Sequence, residues 1–331
     1  MDLTGKRVLV TGGAGFVGSH LVEALLARDC GVRVLAHYNS VGSWGHLEDL
    51  PKEDQDRLDI VLGDISDPYC VDGVVAECDV VFHLAALIAI PYSYRAPMSY
   101  VQTNVVGTVH VLEACRRHSV ERLVHTSTSE TYGTALYTPI DEKHPMQGQS
   151  PYSASKIGAD KMAEAYYRSF DVPVVTLRPF NTYGPRQSAR AVIPTIITQA
   201  LVSDVVRLGS LDPVRDLTFV DDTAQGFIAA AQADGAVGKV VSIGAGQGIT
   251  IGDLAQRILA VMNRAERCRL ETSQDRMRPG KSEVFELLCD NRLARDLLGW
   301  VPTVSLNDGL RRTVEYLERN LAKFKPARYT V

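Results

Sequence analysis

The sequence predicts an α/β fold in which helices cover both faces of a doubly wound parallel sheet, followed by a smaller C-terminal cap. In the first half of the chain, short β-rich runs alternate with longer helical patterns, as is typical of parallel sheets. A glycine-rich turn joins the first of these runs to the first helical pattern. After about residue 180 the alternation gives way to loops rich in Pro, Gly and Arg.

The predicted elements follow from local patterns, taken in chain order. Arg7–Thr11 (RVLVT) is an apolar, β-branched run that favours a buried strand. Residues 15–28 carry apolar side chains at helical spacing, so they predict the first helix. The remaining predictions for this half are strands at 32–36, 59–62, 80–84, 123–126 and 174–177, and helices at about 97–118 and 152–169.

The same reading divides the chain into two domains. Residues 1–180 form the predicted main domain, and residues 181–331 form most of the predicted cap. One strand in the second part, at 239–244 (KVVSIG), is expected to return to the main sheet. An amphipathic helix is predicted near residues 306–320.

Composition excludes several classes of protein. The 331 residues are 45% hydrophobic and 22% charged with a net charge of −4, which argues against disorder and against a basic nucleic-acid surface. Six cysteines without CxxC pairs argue against a zinc site and indicate a reducing compartment. No run of about 18 apolar residues predicts a membrane helix, and the N-terminus has no signal-peptide layout. We therefore expect a cytoplasmic protein without a metal, a membrane or a nucleic-acid partner.

The first motif that carries chemistry is VTGGAGFVGSHL, with Gly12, Gly15 and Gly18 in GxxGxxG spacing. It follows a predicted strand and opens a predicted helix, the context in which such glycines bind a dinucleotide. The glycines let the backbone approach a pyrophosphate, and the helix N-terminus offers free N–H groups to it. A merely structural turn is the alternative. The motif predicts a Rossmann-like, NAD(P)-binding main domain.

The adenosine end of that predicted site is unusual. The second strand of such domains normally ends in an acid that holds the ribose hydroxyls, but here it continues as Ala36-His37-Tyr38-Asn39-Ser40. No arginine stands there to hold a 2′-phosphate either, so both NAD and NADP stay open. Asp64, after the third strand, is a candidate adenine contact, with a solvated turn residue as the alternative.

The second motif places a possible acid–base pair on one helix face. Tyr152 and Lys156 in YSASK are four residues apart, so their side chains share one face. A phenol is a poor base at neutral pH, and a neighbouring ammonium together with a positive nicotinamide would favour the phenolate. Thr128 in HTSTSETYG could orient a substrate hydroxyl toward it. His83, at the end of the fourth strand, is a weaker catalytic candidate for which a packing role is favoured.

The segments TGGAGFVGS, HLAA, TSTSETYG, YSASK and RPFNTYGPRQ together resemble the extended short-chain dehydrogenases/reductases of the sugar-nucleotide epimerase/dehydratase family, over about residues 5–320. The resemblance implies a Rossmann domain, a nucleotide-sugar substrate and a tightly bound nicotinamide cofactor that is recycled in each turnover. NAD is favoured and NADP is not excluded. It implies a catalytic triad at Thr128, Tyr152 and Lys156. The cofactor-binding residues it implies are Gly12, Gly15, Phe16, Val17, Asp64, Ile65, Leu84, Ala85, Ala86, Tyr152 and Lys156.

Within the family, the resemblance indicates a dehydratase. Glu130 stands two residues after Thr128, where retaining 4,6-dehydratases carry the base that removes a proton from sugar carbon 5, whereas 4-epimerases usually have no acid there. A surface salt bridge is the alternative role for Glu130. Ser129 occupies the position of the aspartate that protonates the leaving group in the dTDP-glucose enzymes. Ser129 could relay a proton through water, or Glu130 could serve once protonated.

Three longer stretches, at residues 38–47, 178–199 and 276–284, resemble the N-acetylglucosamine nucleotide 4,6-dehydratases of legionaminic-acid-type pathways. The implied substrate is an NDP-N-acetylhexosamine, either UDP- or GDP-N-acetylglucosamine. Arg215 and Arg278 match family positions that hold the diphosphate, although a solvated loop arginine is the alternative for each. The implied substrate-binding residues are Tyr92, Ser93, Asn181, Arg186, Arg215 and Arg278.

Two other functions and an assembly state complete the predictions. A 4-epimerase would share the substrate class, and Glu130 argues against it. A non-catalytic NAD(P)-sensing regulator would not need the tyrosine–lysine pair. The helices near 97–118 and 152–169 carry more apolar residues than one core-facing stripe needs. This surplus predicts a homodimer that pairs these helices in a four-helix interface. These residues are Val105, Val106, Val109, Ala159, Met162 and Tyr166.

Overall fold

The structure, a computed structural model, describes residues 1–277 and 279–324 of the chain. Its strands coincide with β-branched apolar runs. They are β1 (Arg7–Thr11), β2 (Gly31–His37), β3 (Leu58–Gly63), β4 (Val80–His83), β5 (Arg122–Thr126), β6 (Val174–Pro179), β7 (Asn181–Tyr183), β8 (Val205–Leu208), β9 (Val214–Phe219), β10 (Val240–Ile243), β11 (Gly248–Thr250), β12 (Arg269–Thr272) and β13 (Glu286–Leu287).

The helices alternate with these strands. They are α1 (Phe16–Leu26), α2 (Lys52–Gln55), α3 (Pro68–Val75), α4 (Ile90–Ser93), α5 (Pro97–Tyr100), α6 (Gly107–Arg117), α7 (Pro151–Phe170), α8 (Val192–Val202), α9 (Val220–Gln232), α10 (Ile251–Val261) and α11 (Leu306–Arg319). A π-helical segment, Val101–Val106, joins α5 to α6, so the helix predicted near 97–118 is one continuous segment with a wider central turn.

Seven strands form one parallel sheet in the order β10-β6-β5-β4-β1-β2-β3. The order reverses between β1 and β4, and such a reversal opens a crevice at the carboxyl edge of the sheet where ligands bind. The predicted fold class is therefore confirmed. The strand predicted at 239–244 is β10, which pairs with β6 at the edge of this sheet.

Helices cover both faces of the sheet. One face is buried under α1 and α9, and the other under α3, α6 and α7. The predicted apolar spacing of α1 explains its packing, because Leu21, Val22 and Leu25 are all buried. Helix α7 begins sharply at Pro151, where the Ser150 hydroxyl accepts a hydrogen bond from the Ser153 N–H.

The cap has its own core, formed by α8, α10, α11 and the strands β8 and β9. Strand β9 pairs with β7, β11 and β13, while β8 pairs with β12. Within residues 1–277 and 279–324, no helix is long and apolar enough to cross a membrane. All six cysteines fall in this described part, and each of them is free.

Candidate active site

The glycine motif forms a tight turn between β1 and α1. Gly12 has φ +72°, and a Cβ on it would lie 2.8 Å from the Ala85 nitrogen. A Cβ on Gly18 would lie 2.2 Å from the Gly12 carbonyl oxygen, so a side chain at either position would displace backbone. Gly15 precedes α1 without a side-chain cap, which leaves the first N–H groups of the helix to an incoming anion. The turn is therefore shaped to receive a pyrophosphate.

The adenosine side of this turn carries one acid, Asp64. Its Oδ1 accepts the Ser66 N–H at 2.8 Å, and its Oδ2 lies 3.7 Å from Nδ1 of the exposed His37. Burial alone would raise the pKa of Asp64, but the Ser66 hydrogen bonds and the nearby His37 lower it overall. Asp64 therefore stays anionic beside the end of β2.

A single cleft of 1430 Å³ runs from the glycine turn along the sheet edge to the cap. Sites for one small ligand occupy roughly 300–1,000 Å³, so this cleft has room for more than one. Among the described residues it brings together most of the predicted ligand-binding side chains. Its walls include Gly12, Gly15, Phe16, Val17, Asp64, Ile65, Leu84, Ala85, Ala86, Thr128, Ser129, Glu130, Tyr152, Asn181 and Arg215.

Two residues of the predicted triad, Thr128 and Tyr152, line this cleft, whereas Lys156 does not reach its wall. The Thr128 side chain lies close enough to the Tyr152 phenol to influence its pKa, and Tyr152 is buried against Tyr100. Lys156, one turn further along α7, is buried and donates from Nζ to the Thr126 carbonyl oxygen at 2.6 Å. The ammonium is thereby anchored to the last residue of β5.

Burial dominates the pKa of the phenol in the protein chain alone. Burial raises the pKa of Tyr152 above its usual range, with a further increase from the Glu130 charge, and the nearby Thr128 side chain only partly opposes this. Burial also lowers the pKa of Lys156 to about 8, although the Asp160 charge raises it. The chain alone therefore keeps Tyr152 protonated.

Glu130 and Ser129 lie on the short 3₁₀ helix Ser129–Tyr132 that follows β5. Thr128 begins this helix, and its hydroxyl oxygen accepts the Glu130 N–H at 3.3 Å. Glu130 is half-buried in the cleft wall, close enough for its charge to act on Tyr152. Ser129 is buried beside it. A carboxylate and a phenol thus share the cleft, which suits two proton transfers to one ligand.

His83 lies beneath this centre, and its contacts agree with the favoured packing role. Both ring nitrogens are occupied, Nδ1 by the Thr11 hydroxyl at 2.8 Å and Nε2 by the Thr108 hydroxyl at 3.0 Å. Burial lowers the pKa of His83 well below its usual range, with help from His125 and Lys156. The ring therefore stays neutral and links β1 and β4 to α6.

The cap side of the cleft carries Arg215, a predicted diphosphate ligand. Arg215 points a guanidinium toward Glu283, with Nη2 3.5 Å from a carboxylate oxygen. Asn181 presents a buried Oδ1 without a hydrogen-bond partner, as an acceptor awaiting a ligand would. Arg278 lies outside the described residues. The neighbouring Arg276 lines the cleft and is a ligand candidate that the sequence analysis did not single out.

Three predicted substrate contacts are not brought to the cleft wall. Ser93 is fully buried and donates its hydroxyl to the Ile90 carbonyl at 2.7 Å, while the Tyr92 ring packs at a tilt against Tyr100. Arg186 forms a paired hydrogen bond with Glu23 at 2.7 and 3.0 Å. Because two guanidinium nitrogens of Arg186 already donate to Glu23, Arg186 links the loop after β7 to α1. The side chains of this region that line the cleft include Tyr94, Arg95, Gln187 and Arg190.

Comparison with known proteins identifies relatives along almost the whole chain. A family model described as GDP-mannose 4,6 dehydratase matches residues 9–313. A dTDP-glucose 4,6-dehydratase from Actinoplanes sp. is 35% identical over 320 residues, which cover 95% of this chain and 98% of that protein. A UDP-glucose 4-epimerase from Mycolicibacterium smegmatis is 34% identical over 318 residues, which cover 94% of this chain and 98% of that protein.

A similar architecture is known from crystal structures. The dTDP-glucose 4,6-dehydratase DesIV from Streptomyces venezuelae, crystallised with NAD bound, has a TM-score of 0.86 to this structure at 32% identity. The match covers 97% of this chain and 100% of that one. Dehydratases and an epimerase therefore match at similar identity, and overall similarity does not separate the two reactions.

Proposed function

The chain belongs to the extended short-chain dehydrogenase/reductase family of NAD-dependent epimerases and dehydratases, and on that premise we propose that it is a nucleotide-sugar 4,6-dehydratase. The substrate is an NDP-N-acetylhexosamine, UDP- or GDP-N-acetylglucosamine, and the product is its 4-keto-6-deoxy derivative. The reaction oxidises carbon 4, eliminates water across carbons 5 and 6, and returns the hydride to carbon 6. The proposed enzyme is cytoplasmic.

One observation carries this proposal: Glu130 shares the cleft centre with Thr128 and Tyr152. An epimerase needs a base for one hydroxyl, whereas a dehydratase needs a second base for a carbon-bound proton. The 3₁₀ helix that begins at Thr128 presents the Glu130 carboxylate to the same space as the phenol. Two proton-transfer groups of different kind favour the dehydratase.

The residues present fit a nicotinamide dinucleotide. Gly12 and Gly18 keep the turn tight, because a Cβ on either would meet backbone atoms, and the N-terminus of α1 is uncapped by a side chain. The Thr126 hydroxyl is buried in the cleft wall without a partner, as a ligand contact would be. The turn would hold the pyrophosphate, and Tyr152 and Lys156 would hold the nicotinamide ribose. When bound, the nicotinamide supplies hydride acceptance at carbon 4 and hydride return at carbon 6.

Tyr152 is the group that accepts the proton from oxygen 4 of the sugar. The phenol takes this proton as carbon 4 becomes a ketone, and Thr128 orients the hydroxyl by hydrogen bonding. Because burial raises the pKa of Tyr152, the base must form under the positive charge of Lys156 and of the bound ligand. The ammonium, held on Thr126, contributes a fixed charge one helical turn from the phenol.

Glu130 acts on the next bond. The ketone acidifies the hydrogen on carbon 5, and the carboxylate removes it as hydroxide leaves carbon 6. That leaving group needs a proton, which comes from Glu130 after protonation or through a relay at Ser129. Burial of Ser129 beside Glu130 is compatible with a short relay.

The cap supplies cations and polar groups for the nucleotide diphosphate. Arg215 and Arg276 line this side of the cleft, and a guanidinium suits paired phosphate oxygens. Asn181 contributes its side-chain amide at the boundary between the domains. Arg278 is proposed for the same role from its sequence position.

A 4-epimerase is the second candidate, because a relative with that activity is 34% identical. Incubating the enzyme with UDP- and GDP-N-acetylglucosamine and measuring the product masses by mass spectrometry separates the two functions. A dehydratase releases a product lighter by one water, whereas an epimerase releases a product of unchanged mass and altered stereochemistry. No turnover with either nucleotide sugar would favour a nicotinamide-sensing regulator and overturn the proposal.

The purified protein should carry its cofactor. Each turnover returns the hydride to the same sugar, so the dinucleotide need not leave between cycles. Denaturing the protein and analysing the supernatant should release a nicotinamide nucleotide in near-stoichiometric amount. Finding none, together with no binding of added NAD or NADP, would contradict the cofactor assignment.

The stripped protein should bind NAD more tightly than NADP. Residues 38–45 hold no Lys or Arg, and Asp64 places a negative charge beside the end of β2. Substituting His37→Arg should add a charge-assisted contact worth about 1.5–3 kcal/mol to a 2′-phosphate, or roughly ten- to a hundredfold in NADP affinity. Titration calorimetry measures both affinities. Equal binding of NAD and NADP by the unmodified protein would contradict the prediction.

The protein should form a homodimer through α6 and α7. Met98 and Val101 at the start of this helical segment are exposed, and Val105, Val106 and Val109 are only partly covered. Ala159 and Tyr166, by contrast, are buried within one subunit and leave no surplus for a partner. Light scattering should give twice the 36.2 kDa of one chain at micromolar concentration. A particle of one chain's mass would rule the dimer out.

A further inference from the structure

Asp160 is a buried carboxylate that the steps above do not use. It lies on α7, one turn beyond Lys156, and is only 5% exposed. Its oxygens accept hydrogen bonds from three side chains: the Ser127 hydroxyl at 2.6 Å, Arg178 Nη2 at 2.7 Å and His125 Nε2 at 3.0 Å. A buried charge persists only when it is satisfied in this way.

Two of these partners flank the residue that holds the catalytic ammonium. His125 and Ser127 stand on either side of Thr126, whose carbonyl oxygen accepts the Lys156 Nζ hydrogen bond at 2.6 Å. Side chains alternate along extended backbone, so His125 and Ser127 project from the same face, toward α7. One carboxylate thus holds the end of β5 at two points around Thr126.

Arg178, the third partner of Asp160, connects this hydrogen-bond network to the segment that carries Glu130. Arg178, on β6, donates from Nε to the Ser127 hydroxyl at 3.0 Å as well as to Asp160. Its guanidinium carbon lies 4.6 Å from the centre of the Tyr132 ring, at the end of the 3₁₀ helix Ser129–Tyr132. The network therefore connects α7, β5, β6 and that 3₁₀ helix beneath the cleft.

We propose that Asp160 is a positioning residue for the proposed reaction. It fixes the end of β5, and with it Thr128 and Glu130, against the face of α7 that carries Tyr152 and Lys156. Asp160 itself does not line the cleft, so it acts through these side chains and not on the substrate. The inference rests on the proposed function of this site, and it adds a residue to which no role has been assigned above.

Asp160 also sets the charge that surrounds Lys156. Burial lowers the pKa of Lys156 to about 8, and the Asp160 carboxylate opposes that decrease. The other titratable or charged groups packed around the pair are His83 on β4, His125 on β5, Arg178 on β6, Tyr152 on α7 and Tyr132 after β5. Removing the Asp160 charge leaves the net positive charge of Lys156 and Arg178 unopposed. Lys156 should then lose its proton at lower pH.

The test compares Asp160→Asn with Glu164→Gln, a matched variant one turn further along the same helix, where Glu164 pairs with solvent-exposed Lys161 and Arg168. For Asp160→Asn we expect kcat to fall by about 10²-fold, as misplacement by about 1 Å can cause. KM should change little, because Asp160 does not touch the substrate. The alkaline limb of the kcat profile should move to lower pH. Glu164→Gln should change none of these quantities.

A purely structural role would give a different result. Asp160→Asn would then lower the melting temperature while kcat per folded site and the pH profile stayed at wild-type values, and that outcome overturns the proposal. If Asp160→Asn does not fold, the double variant Asp160→Leu/Arg178→Met replaces the ion pair by apolar side chains, an exchange that buried pairs often tolerate. It should fold and still lose kcat. Wild-type kcat in this variant also overturns the proposal.

A second readout separates this inference from the proposed function. Carbon-13 NMR of lysine-labelled protein follows the proton on Lys156 without any turnover, with the Lys156 signal assigned by its loss in Lys156→Met. If the wild-type protein converts no nucleotide sugar, the proposed function fails, yet the Lys156 titration still tests Asp160. A midpoint in Asp160→Asn equal to that of wild type would overturn the positioning role.

Discussion

Replacing Glu130 by glutamine should leave the enzyme able to oxidise carbon 4 yet almost unable to release the 4-keto-6-deoxy product. The amide keeps the shape of the side chain but cannot take the proton from carbon 5. The expected loss of dehydration is about 10²–10⁴-fold, the range of general-base catalysis. Stopped-flow absorbance should still detect reduced nicotinamide after mixing with substrate, while mass spectrometry of the products should detect little dehydrated sugar.

Isotope labelling provides the control for this variant. Turnover of the wild-type enzyme in heavy water should place deuterium at carbon 5, because the proton that Glu130 removes exchanges with solvent. The hydrogen that moves from carbon 4 to carbon 6 should remain protium. Near-normal dehydration by Glu130→Gln would show that the base assigned here is the wrong group.

Replacing Tyr152 by phenylalanine should abolish oxidation while leaving nucleotide-sugar binding largely intact. The ring keeps its edge-on contact with Tyr100, whose centre lies 6.3 Å away, so the cleft should hold its shape. Only the phenol oxygen and its interaction with the nearby Thr128 side chain are lost. Because a positioned base contributes about a hundredfold or more, turnover should fall at least that far. Steady-state kinetics and calorimetry measure the two effects separately.

Tyr100→Phe is the matched control, since it removes a hydroxyl from the same buried aromatic cluster. That hydroxyl donates to the Ala89 carbonyl at 2.5 Å and is not part of the triad. Tyr100→Phe should therefore retain most of the turnover. If Tyr152→Phe kept more than about a tenth of wild-type turnover, some other group would have to be the base.

Much of the fold can be predicted from the sequence because the patterns that determine its elements are local. β1 coincides with the predicted strand, Gly12 and Gly15 lie in the turn between that strand and α1, and Gly18 lies in the first turn of α1. The spacing of Tyr152 and Lys156 likewise determines a shared face once α7 forms. Each of these inferences depends on neighbours within a few residues, which the sequence displays directly.

The features that the sequence does not display depend on distant contacts. Ser93 donates a hydrogen bond to the Ile90 carbonyl, and Arg186 donates one to the Glu23 carboxylate. Nothing in the neighbouring sequence distinguishes either residue from a ligand-binding side chain. The raised pKa of Tyr152 arises from burial by residues far apart in sequence. Nothing local marks Asp160 either. A carboxylate four residues after a lysine resembles a surface pair until β5 and β6 pack against it.

Strand β10 has a consequence for how the chain is made. β6 pairs with β5 on one side and with β10 on the other, yet the chain emerges from the ribosome with much of the cap between β6 and β10. At about 5–20 residues per second, synthesis from Pro179 to Val240 takes roughly 3–12 s. During that interval the nascent sheet ends in an unpaired apolar edge, the kind that recruits other strands. Shielding of that edge during translation, by a chaperone or by the ribosome surface, would therefore favour a high yield of native protein.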